Sequence, residues 1–212
     1  MKFGVVNLRL SNLTVVFLMM FSLGTVAQDN DTDLTSEIKT FQTDLDEDYQ
    51  DKKTSPLTTK ERKSFQGHGF YPIDLSYVVE AKFERIVEED TVELMSSSGN
   101  IKLYRPFAKV YFRIGDTQCV LTAFQSFRMR DTEEYKNYLL LPFRDATSGN
   151  TSYGGGRYLD ILIPAGNTIE LNFNLAYNPY CAYTAGYNCT VPPKENTLKA
   201  AIKSGVKAPL DH

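Results

Sequence analysis

Two guanidinium groups flank a glycine-rich loop in this chain, and that spacing is where chemistry is first expected. Arg144 stands thirteen residues before Arg157, with Gly154, Gly155 and Gly156 between them. Arginine forms planar, bidentate hydrogen bonds to carboxylates and phosphates. Glycines let a backbone reach positive φ or approach another group closely. The pair therefore reads as a clamp for a small polar or anionic ligand beside the 144–158 loop. The competing reading pairs Arg144 or Arg157 with Asp145 or Asp160. The loop precedes a strand rather than a helix, so neither a nucleotide phosphate loop nor a dinucleotide fingerprint applies.

Acid–base chemistry has few candidates. The chain holds two histidines, His68 and His212, which disfavours serine-triad or multi-histidine metal chemistry. Asp145 and Glu195 are the catalytic candidates, with Arg157 stabilising developing negative charge. Cys181 and Cys189 enclose seven residues. In an oxidising compartment a disulfide is the default, stabilising by about 2–3 kcal/mol through loop closure. A zinc pair lacks further ligands, so no metal and no cofactor is expected. Tyr153, Tyr158, Tyr177, Tyr180, Tyr183 and Tyr187 crowd one stretch and can form a stacking wall or plain packing.

The elements that position these residues alternate with period two. Strands are expected at 77–84, 91–96, 100–104, 107–114, 117–124, 137–142, 157–163 and 169–175, indicating an antiparallel β-sandwich or barrel-like sheet. A long irregular C-terminal loop follows. Gly115-Asp116 fits a two-residue hairpin turn with Gly first. It places Ile114 opposite Thr117, Phe112 opposite Cys119, Val110 opposite Leu121 and Ala108 opposite Ala123, which makes Cys119 a core thiol. A five-residue loop through Thr168 would pair Ile163 with Ile169, Ile161 with Leu171 and Leu159 with Phe173. Its other face would carry Tyr158, Asp160, Asn172 and Asn174 as one polar patch, joined by Tyr177 and Asn178 as further ligand contacts.

Upstream, Leu34, Ile38, Phe41, Leu45 and Tyr49 form one apolar stripe of an amphipathic helix. Acids near its start suit the helix dipole. Ser55-Pro56 breaks it, and Thr58 with Glu61 resembles a capping box. The first residues read as a secretory signal. Lys2 and Arg9 are basic, Leu13–Leu23 is apolar apart from Thr14 and Ser22, and Thr25-Val26-Ala27 offers a cleavage site before Gln28. The expected organisation is a signal over 1–27, a helical extension over 28–64 and a β-rich domain over 65–212. The expected location is periplasmic or secreted, with no membrane span after cleavage. The net charge of −3 argues against nucleic acid as a partner.

The motif-rich segment resembles an uncharacterised bacterial family, domain of unknown function 1684. The resemblance rests on Phe143-Arg144-Asp145-Ala146-Thr147-Ser148-Gly149 and Tyr153-Gly154-Gly155-Gly156-Arg157-Tyr158-Leu159-Asp160. It extends through Asn174, Tyr177-Asn178-Pro179, Cys181-Ala182-Tyr183, Cys189, Pro192-Pro193 and Glu195-Asn196. It is strong over 136–205 and looser from Phe65. The family pattern has a proline after the second cysteine, where this chain has Thr190. The resemblance implies no activity; it implies where a site sits. Three readings stay open: a ligand-binding domain, a hydrolase-like enzyme, and a structural or interaction module.

Overall fold

The two-residue turn at Gly115-Asp116 organises the sheet. The structure is a computed structural model that describes residues 13–87 and 90–209, with side chains described from residue 31 onward. Its strands are β1 (Val78–Arg85), β2 (Val92–Met95), β3 (Ile101–Ile114), β4 (Thr117–Ser126), β5 (Tyr138–Phe143), β6 (Arg157–Leu162) and β7 (Thr168–Asn172). Gly115 adopts φ +54° while no non-glycine among the described residues takes positive φ, as a turn with left-handed geometry only at its first central position requires. Ile114 pairs with Thr117, Phe112 with Cys119, Val110 with Leu121 and Ala108 with Ala123. The expected register holds, and Cys119 is buried in the core.

Eight expected strands become seven because 100–104 and 107–114 are one strand. β3 runs through Pro106, where its register against β4 shifts between Pro106 and Ala108. Phe107 is the extra residue of that bulge. A proline lacks the N–H a regular ladder needs, so a bulge is where one is tolerated.

The strands form one antiparallel sheet in the order β6-β5-β4-β3-β1-β7, with β2 added beside β3, and the sheet curls into a half-barrel. This order overturns the expected β6–β7 hairpin. β6 pairs with β5, setting Leu139 against Ile161 and Leu141 against Leu159. β7 pairs with β1 at the far edge. The alternation still gave the right faces: Leu159, Ile161, Leu171 and Phe173 all enter the main core. Period-two patterning fixes which side chains point inward; it does not choose the neighbouring strand. The two edges are tied again after β7. Tyr158 and Tyr177 exchange backbone hydrogen bonds of 2.9 and 3.0 Å.

Asn196 repairs a weak seam. β4 and β5 share a single register pair, Phe124 with Leu140, and Pro142 has no N–H to offer. The fully buried Asn196 amide accepts from Thr122 N at 2.8 Å and donates to Thr122 O at 2.9 Å and Pro142 O at 2.7 Å. It supplies the hydrogen bonds that proline withholds.

Helix α1 runs from Leu13 to Gln50 and α2 from Thr59 to Ser64. The chain divides between Glu37 and Ile38, with all strands in the second unit. Within that unit Ile38 and Tyr49 are buried and Phe41 and Leu45 half-buried, so the apolar stripe docks. The acids expected at the helix start lie inside it instead: α1 begins at Leu13 and has no acid in its first turn. The Thr58–Glu61 capping box forms, with backbone-to-side-chain distances of 3.3 and 2.7 Å. The basic start of the expected signal lies outside the described residues. Among the described residues, no helix is long and apolar enough to cross a membrane.

Candidate functional site

Arg157 begins β6 with the same parity as Leu159 and Ile161, so its side chain turns into the core. It is 1% exposed and meets Asp145, which is 0% exposed, at 3.3 Å. Its guanidinium also donates to the backbone oxygens of Ile202 at 2.8 Å and Val206 at 3.4 Å, and to that of Ser204. Phe143 packs beside it at 5.3 Å from the ring centre. Burial pulls this guanidinium below its ordinary value, and Asp145 opposes the shift. Asp145 in turn accepts from Thr147 Oγ1 at 2.8 Å, Ser148 Oγ at 3.2 Å and Ile202 N at 2.7 Å. Both terminal nitrogens of the guanidinium and both carboxylate oxygens are hydrogen-bonded, which offsets most of the cost of burying the pair, while the buried Nε has no partner. Gly156 makes the approach possible. At φ +93°, a Cβ there would stand 2.6 Å from Phe143 O and 2.7 Å from Pro192 Cγ.

The expected clamp is therefore corrected. Arg144 is half-buried and lies across the loop, donating to Gly154 O at 3.3 Å and Pro192 O at 3.4 Å. Arg157 faces inward, and the two do not share an opening. The catalytic candidates separate as well: Asp145 is sealed, while Glu195 is exposed in the 3-10 helix Lys194–Asn196. Neither stands where Arg157 can assist an acid acting on a substrate.

The amides are clips rather than one row. Asn172 caps a 3-10 turn, accepting from Asn174 N at 3.1 Å and Asn174 Nδ2 at 3.0 Å. Asn174 grips Asp74, accepting from its N and donating to its O, both at 3.0 Å. Asn178 donates to Lys207 O at 2.7 Å and Tyr183 Oη at 2.9 Å. The patch predicted from a β6–β7 hairpin dissolves with that hairpin, since Asn172 lies at the opposite edge from Asp160.

Cys181 and Cys189 sit at disulfide distance, with Cα atoms 6.2 Å apart. Burial pushes the Cys119 thiol above its ordinary value. His68, between Gly67 and Gly69, is an anchor. Its Nδ1 lies 2.5 Å from Asp46 Oδ1 and its ring is 1% exposed, with Tyr49 and Tyr183 edge-on to it. Among the described residues, no three or more His, Cys, Asp or Glu side chains gather as a metal site.

What remains open is the outward face of β6. Asp160 accepts from Tyr138 Oη at 2.6 Å and Tyr177 Oη at 2.9 Å. No lysine or arginine among the described residues pairs with it. Asp160 is exposed as a residue, yet the phenol rings crowd its carboxyl. That crowding raises it above its usual value against the two hydrogen bonds. Asp160 walls a hollow of about 320 Å³ with Phe41, Asp48, Tyr49, Tyr177 and Tyr180. Tyr158 lies behind Tyr177, its ring edge-on at 5.8 Å, and its hydroxyl donates to Thr190 O. Of the expected ligand residues, Tyr158, Asp160 and Tyr177 come together; Arg144, Arg157, Asn172, Asn174 and Asn178 do not join them. Sequence reading missed Tyr138, Asp48 and Tyr49. Tyr138 shares the outward face with Asp160 through the β5–β6 register, a pairing the wrong hairpin concealed.

The comparisons fit this architecture and carry no activity with them. A search of curated proteins finds no match. A solution NMR structure of an uncharacterized protein from gene locus rrnAC0354 of Haloarcula marismortui is similar at 30% identity and a TM-score of 0.67. The match covers 87% of this chain and 99% of that one. The family model described as protein of unknown function, DUF1684, matches residues 63–207. That span takes in the Arg157–Asp145 seal, Asp160 and the cysteine pair, and the chain belongs to the DUF1684 family.

Proposed function

We propose that this β-domain binds a small organic cation in the hollow beside Asp160. One observation carries the reading: an exposed carboxylate, held by two phenol hydroxyls and without a basic partner among the described residues, stands within an aromatic wall. Aromatic faces carry negative electrostatic potential and attract ammonium groups, most strongly when the site is partly desolvated. The exposed Asp48 adds a second carboxylate to the same hollow. The expected anionic ligand thus changes sign, because the guanidinium meant to hold it points inward. We also propose that the domain works outside the cytoplasm, a reading supported by the basic, apolar and small-residue order of the first 27 residues and by the cysteine pair.

A matched ligand pair tests it. Choline should raise the melting temperature in proportion to ln(1 + [L]/Kd), while the neutral isostere 3,3-dimethyl-1-butanol should not. The choline shift should vanish in Asp160→Asn. Equal shifts from the charged and neutral compounds would end the cation reading.

The polar network around Arg157 supports a separate structural role for the rest of the motif. It fixes residues 202–206 to the sheet and contributes no wall to the Asp160 hollow.

A further inference from the structure

The Asp160 hollow is not isolated. Tyr177 and Tyr180 also wall a second hollow of about 270 Å³, which includes Tyr104, Met129, Tyr138 and Lys102. Its chemistry is opposite in sign. Lys102 is half-buried on β3, and no carboxylate among the described residues pairs with it. Burial and the like charge of Arg128 both pull its ammonium below the ordinary value. A half-buried ammonium lining a hollow, with a second cation near enough to repel it, is relieved by an anion entering that hollow. Asp160 and Asp48 thus line one hollow and Lys102 the other, with Tyr177 and Tyr180 shared between them.

We propose that the ligand is a short, peptide-like zwitterion bridging the two hollows, its ammonium beside Asp160 and its carboxylate beside Lys102. This rests on the cation reading of Asp160 and extends it to the opposite end of the ligand. An aromatic or aliphatic body lies against Tyr177 and Tyr180. Tyr180 is 44% exposed and stacks edge-on with Tyr187, itself 38% exposed, at 5.0 Å. Exposed tyrosines in contact offer a broad apolar surface with little conformational freedom to lose. Opposite charges at the two ends also fix the ligand's direction, since reversal sets like charges together at both.

Calorimetry with the whole chain and three probes tests the proposal. The probes are alanylphenylalanine, its C-terminal amide, which keeps only the ammonium, and its N-acetyl derivative, which keeps only the carboxylate. The dipeptide should bind at least tenfold more tightly than the amide, and the N-acetyl form should not bind measurably. Lys102→Gln should bring the dipeptide down to the level of the amide and leave the amide unchanged. Equal affinity for dipeptide and amide, or no effect of Lys102→Gln, overturns the zwitterion while choline binding still supports the cation site. Loss of choline binding together with all three probes overturns both. Tight binding of the N-acetyl form would assign the site to anions and overturn the proposal outright.

Discussion

Asp145 and Asp160 flank the same triple-glycine loop and have opposite fates. Asp145 is fully buried against Arg157 and four further donor groups. Asp160 keeps an open edge and accepts only from phenols. The difference follows from which side of the sheet each carboxylate reaches. β6 sends Arg157, Leu159 and Ile161 inward and Tyr158, Asp160 and Leu162 to the other face. Asp145 stands two residues after β5 and meets the inward arginine. The motif therefore contains two functions by geometry: a charge pair that closes the fold, and a carboxylate left to the outside. A motif rich in charge does not announce which of its charges are spent on the scaffold.

The contrast breaks most visibly at the seal. Arg157→Ala should lower stability by about 3–5 kcal/mol, because it strands a buried carboxylate. Chemical denaturation reads the change, and replacing both partners together with apolar residues of similar volume should restore most of it. Near-wild-type stability in the single variant would mean that Asp145 is not sealed. Asn196→Ala comes next. It leaves the Thr122 and Pro142 groups without their partner, a loss of about 2–3 kcal/mol, measurable as a lower melting temperature. Asp160→Asn should change stability by less than about 1 kcal/mol, since the amide oxygen still accepts from Tyr138 and Tyr177. Its effect belongs to ligand affinity, and there the pH sign is fixed. The Asp160 carboxyl is raised in the folded protein, so a cationic ligand should bind more tightly as pH rises through that raised value and more weakly below it. Affinity that is flat across that range in the wild type would separate Asp160 from the site.

Some of this was legible in the residues themselves. Alternation identified the inward faces, and Gly115-Asp116 fixed the β3–β4 register residue by residue. The parity that made Leu159 and Ile161 core residues applied equally to Arg157, two positions earlier. The guanidinium was read as a surface group only because charge was given more weight than alternation. The neighbour of β6 was not legible. Leu171 and Phe173 satisfy the apolar rule equally well beside β6 or at the far edge, and only the closed hydrogen-bond ladder decides. That single ambiguity displaced Asn172 and Asn174 and hid Tyr138. The Asp48 and Tyr49 side of the hollow comes from α1, whose stripe predicted docking but not the surface it docks against.

Every acceptor that Arg157 takes from the main chain lies in residues 202–206, downstream of all seven strands. A chain emerging from its N-terminus thus presents the whole sheet before it presents the segment that completes its interior. Until that segment arrives, closing the sheet would entomb a guanidinium with one carboxylate and none of its carbonyl oxygens. The order of synthesis thus sets an order of closure: the interior around Arg157 is complete only once residues 202–206 have joined the strands.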